Sequence, residues 1–178
     1  MASISLMKIA EKMKLENLTP EINLKGIKVT LPDITRPALP MAGSFEPFEA
    51  TRLQVIGFVE YSYVKRMSEK EEKEMLEKLL DYPIPGIIFC RELHPDELFR
   101  QIAIEKGVPL LMTKRATSSF TAELIRWLNV KLAPCISVHG VLVDVYGEGV
   151  LITGESGIGK SEAALELIKR GHRLGTDD

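Results

Sequence analysis

The sequence predicts an α/β protein with a small N-terminal α/β domain, residues 1–132, and the start of a second domain, residues 133–178. Two observations support this prediction. Short apolar segments alternate with amphipathic helical segments through most of the chain, which is typical of layered α/β domains. After Ala133 and Pro134, which we interpret as the joint, the pattern changes to two strand-like segments, a glycine-rich loop and a helix.

The composition is that of a globular chain without an excess of either charge. Of 178 residues 45% are apolar, and the net charge of −2 disfavours a nucleic-acid-binding protein, which normally carries a basic excess. No apolar run reaches the ~18–20 residues that span a bilayer, and charges interrupt the N-terminal segment where a signal peptide would be continuous. We therefore expect a cytoplasmic protein that binds neither nucleic acid nor membranes, with Cys90 and Cys135 as reduced, buried thiols.

The first third of the chain predicts one helix and two strands. Apolar side chains at helical spacing predict an opening helix whose buried face comprises Leu6, Ile9, Ala10 and Met13. A short strand is expected at residues 26–31, and prolines with a glycine between positions 32 and 47 predict an irregular connection. Residues 53–64 are rich in β-branched and aromatic side chains, so they predict a strand.

The next segment begins with a clear helix start. Ser68 is expected to be the N-cap, and Glu71 three residues later completes a capping box. Pro83 and Pro85 follow the helix, and residues 86–90 predict a short buried strand.

Two more helices enclose another strand. Pro95 is expected at the first position of a helix that Gly107 ends. Residues 108–112 predict the next strand. Ser118 or Ser119 is expected to cap the last helix of the N-terminal domain.

The last quarter of the chain contains the pattern G-x-x-x-x-G-K-S of a phosphate-binding loop. Its glycines let backbone amides close around a polyphosphate, Lys160 offers a positive charge to the β- and γ-phosphates, and the Ser161 hydroxyl can coordinate Mg²⁺. The strand "GVLIT" precedes the loop and the helix "KSEAALELIKR" follows it, as the motif requires. We predict a nucleotide or other polyphosphate site formed by Gly154, Glu155, Ser156, Gly157, Ile158, Gly159, Lys160 and Ser161.

Two aspartates are expected to return to this loop. The helix carries the chain away, and from Gly171 an extended segment can lead back. A strand–helix–strand unit makes its strands parallel, so Asp177 and Asp178 would lie level with the loop, where a carboxylate can bind Mg²⁺, orient water or accept a proton. Because strand side chains alternate in direction, the two should not share one task. The alternative is a solvated pair at a strand end or turn.

His139 is expected near the same loop because it begins a predicted hairpin. If the hairpin turn has three residues, Tyr146 faces Val150 and His139 lies opposite position 157. A structural role for His139 remains the alternative. We interpret His94 and His172 as surface or capping residues, and a Cys135–His139 catalytic pair is disfavoured by distance along a strand.

The segment "SVHGVLVDVYGEGVLITGESGIGKSEAALELIKRGHRL" closely resembles the bifunctional HPr kinase/phosphorylase family, as do "ITRPALPMAGSFEPF" and "RLQVIGFVEYSYVKRM". The resemblance covers essentially the whole chain, and it implies a P-loop-containing kinase domain after residue 133. It also implies phosphorylation of a serine of HPr, the phosphocarrier of the sugar phosphotransferase system, with ATP or pyrophosphate and Mg²⁺. The resemblance further implies that the reverse reaction is phosphorolysis, that the intact protein is a homohexamer, and that it regulates carbon catabolite repression.

The resemblance also implies residue roles. Residues 154–161 would hold phosphate, with Lys160 catalytic and Ser161 on Mg²⁺. His139 would be an active-site residue, and Asp178 would accept the serine proton and return it in the reverse direction. Asp177 is the alternative proton acceptor and a metal-ligand candidate.

Two departures from the family pattern affect these expectations. Gly175 and Thr176 stand where the family typically has Val-Ala, and a glycine weakens a strand. The family also continues for over a hundred residues, so we expect this chain alone to be inactive, with an unpaired sheet edge. Another P-loop small-molecule kinase or ATPase, and a non-catalytic nucleotide-binding module, remain alternatives.

Overall fold

The computed structural model describes residues 2–134 and 138–177, which form two compact units. The N-terminal unit is Met1–Ala133, and the C-terminal unit is Pro134–Asp178. The predicted α/β fold class is confirmed, because both units combine strands with helices.

A five-stranded sheet forms the centre of the N-terminal unit. The strands of this unit are β1 (Ile4–Ser5), β2 (Glu16–Asn17), β3 (Lys28–Val29), β4 (Ile34–Thr35), β5 (Leu53–Ile56), β6 (Ile87–Phe89) and β7 (Leu110–Met112). The order is β2-β7-β6-β5-β4, in which β4 to β7 run parallel and β2 is antiparallel at one edge. Strands β1 and β3 form a separate antiparallel pair.

Helices cover both faces of this sheet. They are α1 (Leu6–Met13), α2 (Ala38–Met41), α3 (Phe58–Val64), α4 (Glu69–Leu79), α5 (Glu97–Lys106) and α6 (Thr117–Leu132). Side chains of α4 and α5 pack with Ile87 and Phe89 on one face, while α1 and α6 pack with Val55 and Ile88 on the other. Adjacent strand residues point in opposite directions, so a sheet buried on both faces needs the continuous apolar strands that this sequence has.

Local sequence signals explain most of the helix ends. The Ser68 Oγ accepts a hydrogen bond from the Glu71 amide at 3.3 Å, and the Glu71 carboxylate accepts one from the Ser68 amide at 2.8 Å, so the predicted capping box is confirmed. The opening helix is also confirmed, and its four apolar positions are buried. Gly107 ends α5 in the left-handed conformation, with a φ of 70°.

Two predicted helix starts are wrong by two or three residues. Helix α5 begins after Asp96, whose side chain caps the Phe99 amide at 3.0 Å, so Pro95 lies before the cap and not at the first helical position. Helix α6 begins after Ala116, ahead of Ser118 and Ser119, and Ala116 offers no side-chain cap. Helix α5 therefore begins later along the chain than the proline signal indicates, whereas α6 begins earlier than the serine signal indicates.

The predicted strand at residues 53–64 is half wrong, because only β5 is extended and α3 is helical. The Glu60 carboxylate accepts hydrogen bonds from the Gly57 amide at 3.0 Å and from Arg36 at 2.7 Å, which caps the helix start. The strand expected at residues 26–31 is likewise shorter, since only β3 forms there.

The C-terminal unit contains β8 (Gly140–Val145), β9 (Glu148–Thr153), α7 (Lys160–Lys169) and β10 (Arg173–Asp177). Its sheet has the order β10-β8-β9, with both outer strands antiparallel to β8. Helix α7 packs on this sheet through Ala164, which joins Val141 and Val143 in a small core. Within the described residues β9 and β10 each have one partner, so the expected unpaired sheet edge is present.

Cys90 is fully buried, and burial raises the pKa of its thiol to about 11, so it is an unreactive core residue as expected. The expectation for Cys135 lies outside the described residues. No helix within the described ranges is long and apolar enough to cross a bilayer.

Candidate phosphate-binding site

The predicted phosphate-binding loop connects β9 to α7, which is the strand–loop–helix context that the sequence predicts. Gly157 and Gly159 adopt left-handed φ angles of 81° and 101°, which other residues rarely tolerate. A Cβ on Gly154 would lie 3.1 Å from the Ile158 side chain, so the loop closes tightly on its first residue. Glycine is therefore required at these positions by backbone conformation and by space.

The loop leads into the N-terminus of α7, where the helix dipole is positive and the first backbone amides lack partners. Gly159 is the N-cap residue and provides no side-chain hydrogen bond, so the first amides of the helix remain available to an anion. A phosphate group satisfies such amides and is stabilised by the helix dipole.

Lys160 folds back over the loop. Its ammonium group donates hydrogen bonds to the carbonyl oxygens of Gly154 and Glu155, both at 2.8 Å. The charge therefore lies beside the loop backbone, where a bound polyphosphate would compete with the two carbonyls for the same donor.

The Ser161 side chain, the predicted metal ligand, is exposed and makes no hydrogen bond within the described residues, so the metal-ligand role stays a prediction. The sequence analysis did not single out Glu162, the acidic residue in the first turn of α7. Its carboxylate lies 3.5 Å from where a Cβ on Gly159 would be, so a second oxygen donor borders the loop. Its signal in the sequence is an acid directly after G-K-S.

The hairpin before the loop has a two-residue turn, so the predicted three-residue turn is wrong. Tyr146 and Gly147 have φ angles of 56° and 89°, as a two-residue hairpin turn of the primed type requires. The Asp144 carboxylate accepts a hydrogen bond from the Gly147 amide at 2.7 Å and stabilises the tighter turn.

This correction changes the expected neighbour of His139. Gly140 pairs with Thr153 at the end of the hairpin, so residue 139 comes directly before the residue paired with the last strand residue ahead of the loop, and is not opposite position 157. A Cβ on Gly140 would lie 2.7 Å from the Ile152 carbonyl oxygen, so the absence of a side chain lets the strands approach here. His139 is exposed at this edge.

The return of the chain after α7 follows the predicted direction. Strands β9 and β10 are parallel to each other, because each is antiparallel to β8, which lies between them. The backbone of Asp177 pairs with Val141, which pairs with Ile152 near the end of β9. The backbone of Asp177 therefore lies level with Ile152, two residues before the loop, and two strands or ~10 Å across the sheet. The prediction for Asp178 lies outside the described residues.

Gly175 has a structural explanation that the sequence did not provide. The pairing of β10 with β8 shifts register between Leu174 and Thr176, and Gly175 is the extra residue of this bulge. A Cβ there would lie 3.1 Å from the Leu142 carbonyl oxygen, so glycine relieves crowding at the bulge.

The other two histidines behave as expected. His94 is exposed. His172 follows α7, its amide donates to the Leu167 carbonyl at 3.2 Å, and its ring lies 4.8 Å from that of Tyr146 in an edge-to-face contact.

Comparison with known proteins agrees with the motif. The family description "HPr Serine kinase N terminus" matches residues 4–128, and "HPr Serine kinase C-terminal domain" matches residues 130–178. The chain belongs to the HPr kinase/phosphorylase family. The first family domain ends within α6, and the second includes the hairpin, the loop and β10.

Individual relatives show the same similarity over the whole chain. The HPr kinase/phosphorylase of Lachnoclostridium phytofermentans is 57% identical over 178 residues, which are 100% of this chain and 58% of the relative. Those of Shouchella clausii and Levilactobacillus brevis are 45% and 44% identical, over 100% and 99% of this chain. The chain thus spans 57% and 56% of the length of these two relatives.

Proposed function

We propose that the protein represented by this chain phosphorylates a serine of HPr with ATP or pyrophosphate, and reverses this step by phosphorolysis. The observation that supports the proposal is the tightly closed loop with Lys160 at its centre, in a chain that belongs to the HPr kinase/phosphorylase family. As for the family, we propose a cytoplasmic homohexamer that acts in carbon catabolite repression.

Residues 154–161 are proposed to hold the polyphosphate through their backbone amides and the positive end of α7. Lys160 would exchange its two carbonyl partners for phosphate oxygens and stabilise the charge that develops on the transferred group. Ser161, with Asp177 as a candidate second ligand, would hold Mg²⁺. When bound there, Mg²⁺ would neutralise part of the phosphate charge.

In the kinase direction the serine oxygen of HPr forms a bond to the terminal phosphorus as the bond to the leaving phosphate oxygen breaks. Asp178 is proposed to accept the hydroxyl proton. In the reverse direction an oxygen of inorganic phosphate attacks the phosphoserine phosphorus, pyrophosphate forms, and Asp178 returns a proton to the departing serine oxygen. His139, directly before the hairpin that leads into the loop, is proposed to contact the transferred phosphoryl group.

For residues 1–178 alone we propose polyphosphate binding without phosphorylation of HPr. The core of the C-terminal unit is small, and β9 and β10 each lack a second partner within the described residues. The longer relatives have further chain that this piece does not include. A catalytic geometry that must hold reacting atoms within fractions of an ångström needs a rigid support.

Calorimetric titration of the chain with pyrophosphate and Mg²⁺ tests the loop. The Lys160→Ala variant should weaken affinity about 100-fold, because a charged hydrogen-bond donor to phosphate is lost. Lys169→Ala, at the far end of α7, is the matched control and should bind as the unchanged chain does. Equal affinity of all three proteins would contradict the loop assignment.

Product analysis tests the substrate. A protein extended to the full length of its relatives should place phosphate on a serine of HPr, detected by mass spectrometry, and pyrophosphate should form when phosphoserine-HPr meets inorganic phosphate. Phosphate transfer to small hydroxyl compounds alone would indicate a small-molecule kinase. Nucleotide binding by the extended protein without turnover would indicate a non-catalytic module.

A further inference from the structure

A crevice of about 540 Å³ lies in the N-terminal unit, at the carboxyl ends of its parallel strands. Its lining includes Arg36 after β4, Phe58 after β5, Arg91 after β6 and Thr117 at the start of α6, the helix that follows β7. Helices α4 and α5 pack on one face of this sheet and α6 on the other. Ligands of open α/β sheets bind in crevices at this strand end, between helices that leave in different directions.

Arg91 gives the crevice a positive charge, Arg36 adds guanidinium N–H donors although Glu60 balances its charge, and none of the described lining residues is acidic. The Arg36 guanidinium is held in place by Glu60. Its Nη2 donates a hydrogen bond to the buried Glu60 carboxylate at 2.7 Å, while 44% of the Arg36 side chain remains exposed. Arg91 is exposed and forms no ion pair with any described residue. The Arg91 amide donates to the Arg115 carbonyl at 2.9 Å, which fixes the backbone of the turn.

Gly57 brings the polar groups of the crevice together. A Cβ at this position would lie 2.9 Å from the Arg36 Nη2 and 2.9 Å from the Thr117 Oγ1. The guanidinium and the hydroxyl therefore converge on one point that only a glycine leaves open. Any larger residue would displace one of the two donors.

The start of α6 adds backbone donors to the same wall. Its N-cap, Ala116, makes no side-chain hydrogen bond, and its first turn has no acidic residue. The amides of Thr117 and Ser118 have no acceptor among residues 2–134 and 138–177. Arginine and free amide donors at one place match the oxygens of a phosphate group.

The opposite wall is apolar. Phe58 and Val59 are 64% and 65% exposed, although both are large hydrophobic residues. We propose that this crevice binds a small phosphomonoester with an apolar or aromatic moiety, its phosphate on Arg36, Arg91 and the start of α6. This site belongs to the N-terminal unit and does not depend on the function proposed for the loop.

Three probes test the chemistry in an isotope-labelled chain that carries Lys160→Ala, so that the loop does not dominate phosphate binding. Phenyl phosphate should shift the amide resonances of Phe58, Arg91 and Ser118. Inorganic phosphate should shift the same resonances with lower affinity, because it lacks the ring, and phenol should shift none at the same concentration. Phenol binding as tightly as phenyl phosphate would refute an anion site.

Two variants test the donors without relying on loss of structure. Arg91→Gln removes an exposed, unpaired charge and should weaken phenyl phosphate binding about tenfold. Ser118→Glu should abolish binding by repulsion, although an acid in the first turn of a helix stabilises it. Arg126→Gln removes an exposed arginine from the middle of α6, outside the crevice, and should leave affinity unchanged. Unchanged affinity in Arg91→Gln and Ser118→Glu would refute the site.

Discussion

The two units differ in how completely their sheets are covered. In the N-terminal unit both faces of the sheet are buried beneath helices, and Phe89, Phe99 and Phe120 are among its fully buried side chains. In the C-terminal unit the described core comprises Val141, Val143 and Ala164. Buried apolar area is the main source of folding stability, so the N-terminal unit should be much the more stable of the two.

Exposed apolar side chains in the C-terminal unit also indicate that this unit is the less stable of the two. Ile158, Leu165 and Leu151 are 69%, 56% and 52% exposed. The unit with the recognisable chemical motif therefore has the weaker packing, while the well-packed unit has no motif that the sequence alone connects to chemistry. Sequence motifs and structural stability are thus separate properties of this chain.

The largest expected effect is on the packing of the N-terminal unit. Phe120→Ala should lower its free energy of unfolding by about 3–5 kcal/mol, because a fully buried ring is removed from the core. Urea unfolding followed by Trp127 fluorescence measures this, since Trp127 is the only tryptophan and packs against the same cluster.

The matching change in the other unit is Val143→Ala. It should leave the Trp127 transition unchanged and accelerate amide hydrogen exchange in β8, because it affects only the small core. If each variant shifts both probes together, the units unfold as one, and the contrast drawn between them is incorrect.

A smaller loss of stability is expected from a substitution at the start of β8, close to the loop. Gly140→Ala should cost about 1–3 kcal/mol, because its Cβ would lie 2.7 Å from the Ile152 carbonyl oxygen, a backbone atom that cannot move alone. Hydrogen exchange of the β9 amides should rise, and pyrophosphate affinity should fall as the start of the loop shifts. Gly149→Ala is the control, because a Cβ there meets only the Leu142 side chain at 3.8 Å. Equal exchange rates in the two variants would show that the close approach at Gly140 is unimportant.

The smallest expected change in stability comes from a buried carboxyl group in the N-terminal unit. Burial, and then the charge of Asp96, raise the pKa of Glu72 to about 7 from an ordinary 4.5. Between these values the folded state keeps the proton and the unfolded state loses it, so stability should fall as pH rises from 4.5 to 7. The lowered pKa of Asp96 affects stability only below about its ordinary 3.8, and the raised pKa of Lys65 only above 10.5.

Glu72→Gln should remove this slope and raise the free energy of unfolding at pH 8 by about 1–2 kcal/mol, because it cannot ionise. Urea unfolding at pH 5 and pH 8 measures the difference. The control, Glu74→Gln, lies on the same helix with 61% of its side chain exposed and should retain the slope. If the stability of Glu72→Gln still falls as the pH rises from 5 to 8, another group causes the pH dependence.

Local hydrogen bonds explain which sequence predictions succeeded. The capping box of Ser68 and Glu71 and the left-handed glycine after α5 depend on residues within one helical turn, so the sequence alone contains the necessary information. The prediction for residues 53–64 failed because the start of α3 is stabilised by Arg36, a residue 24 positions from Glu60. Aromatic and β-branched side chains favour strands on average, but tertiary contacts override that preference.

The sequence by itself determined the α/β class, the family, and a glycine-rich loop between a strand and a helix, because backbone preferences and short-range capping act over a few neighbouring residues. Only the tertiary structure decided the hairpin register that pairs Gly140 with Thr153, the bulge at Gly175, and the convergence of Arg36 and Thr117 around Gly57. These depend on distances between segments far apart in the chain, which are set when sheets pair and helices pack.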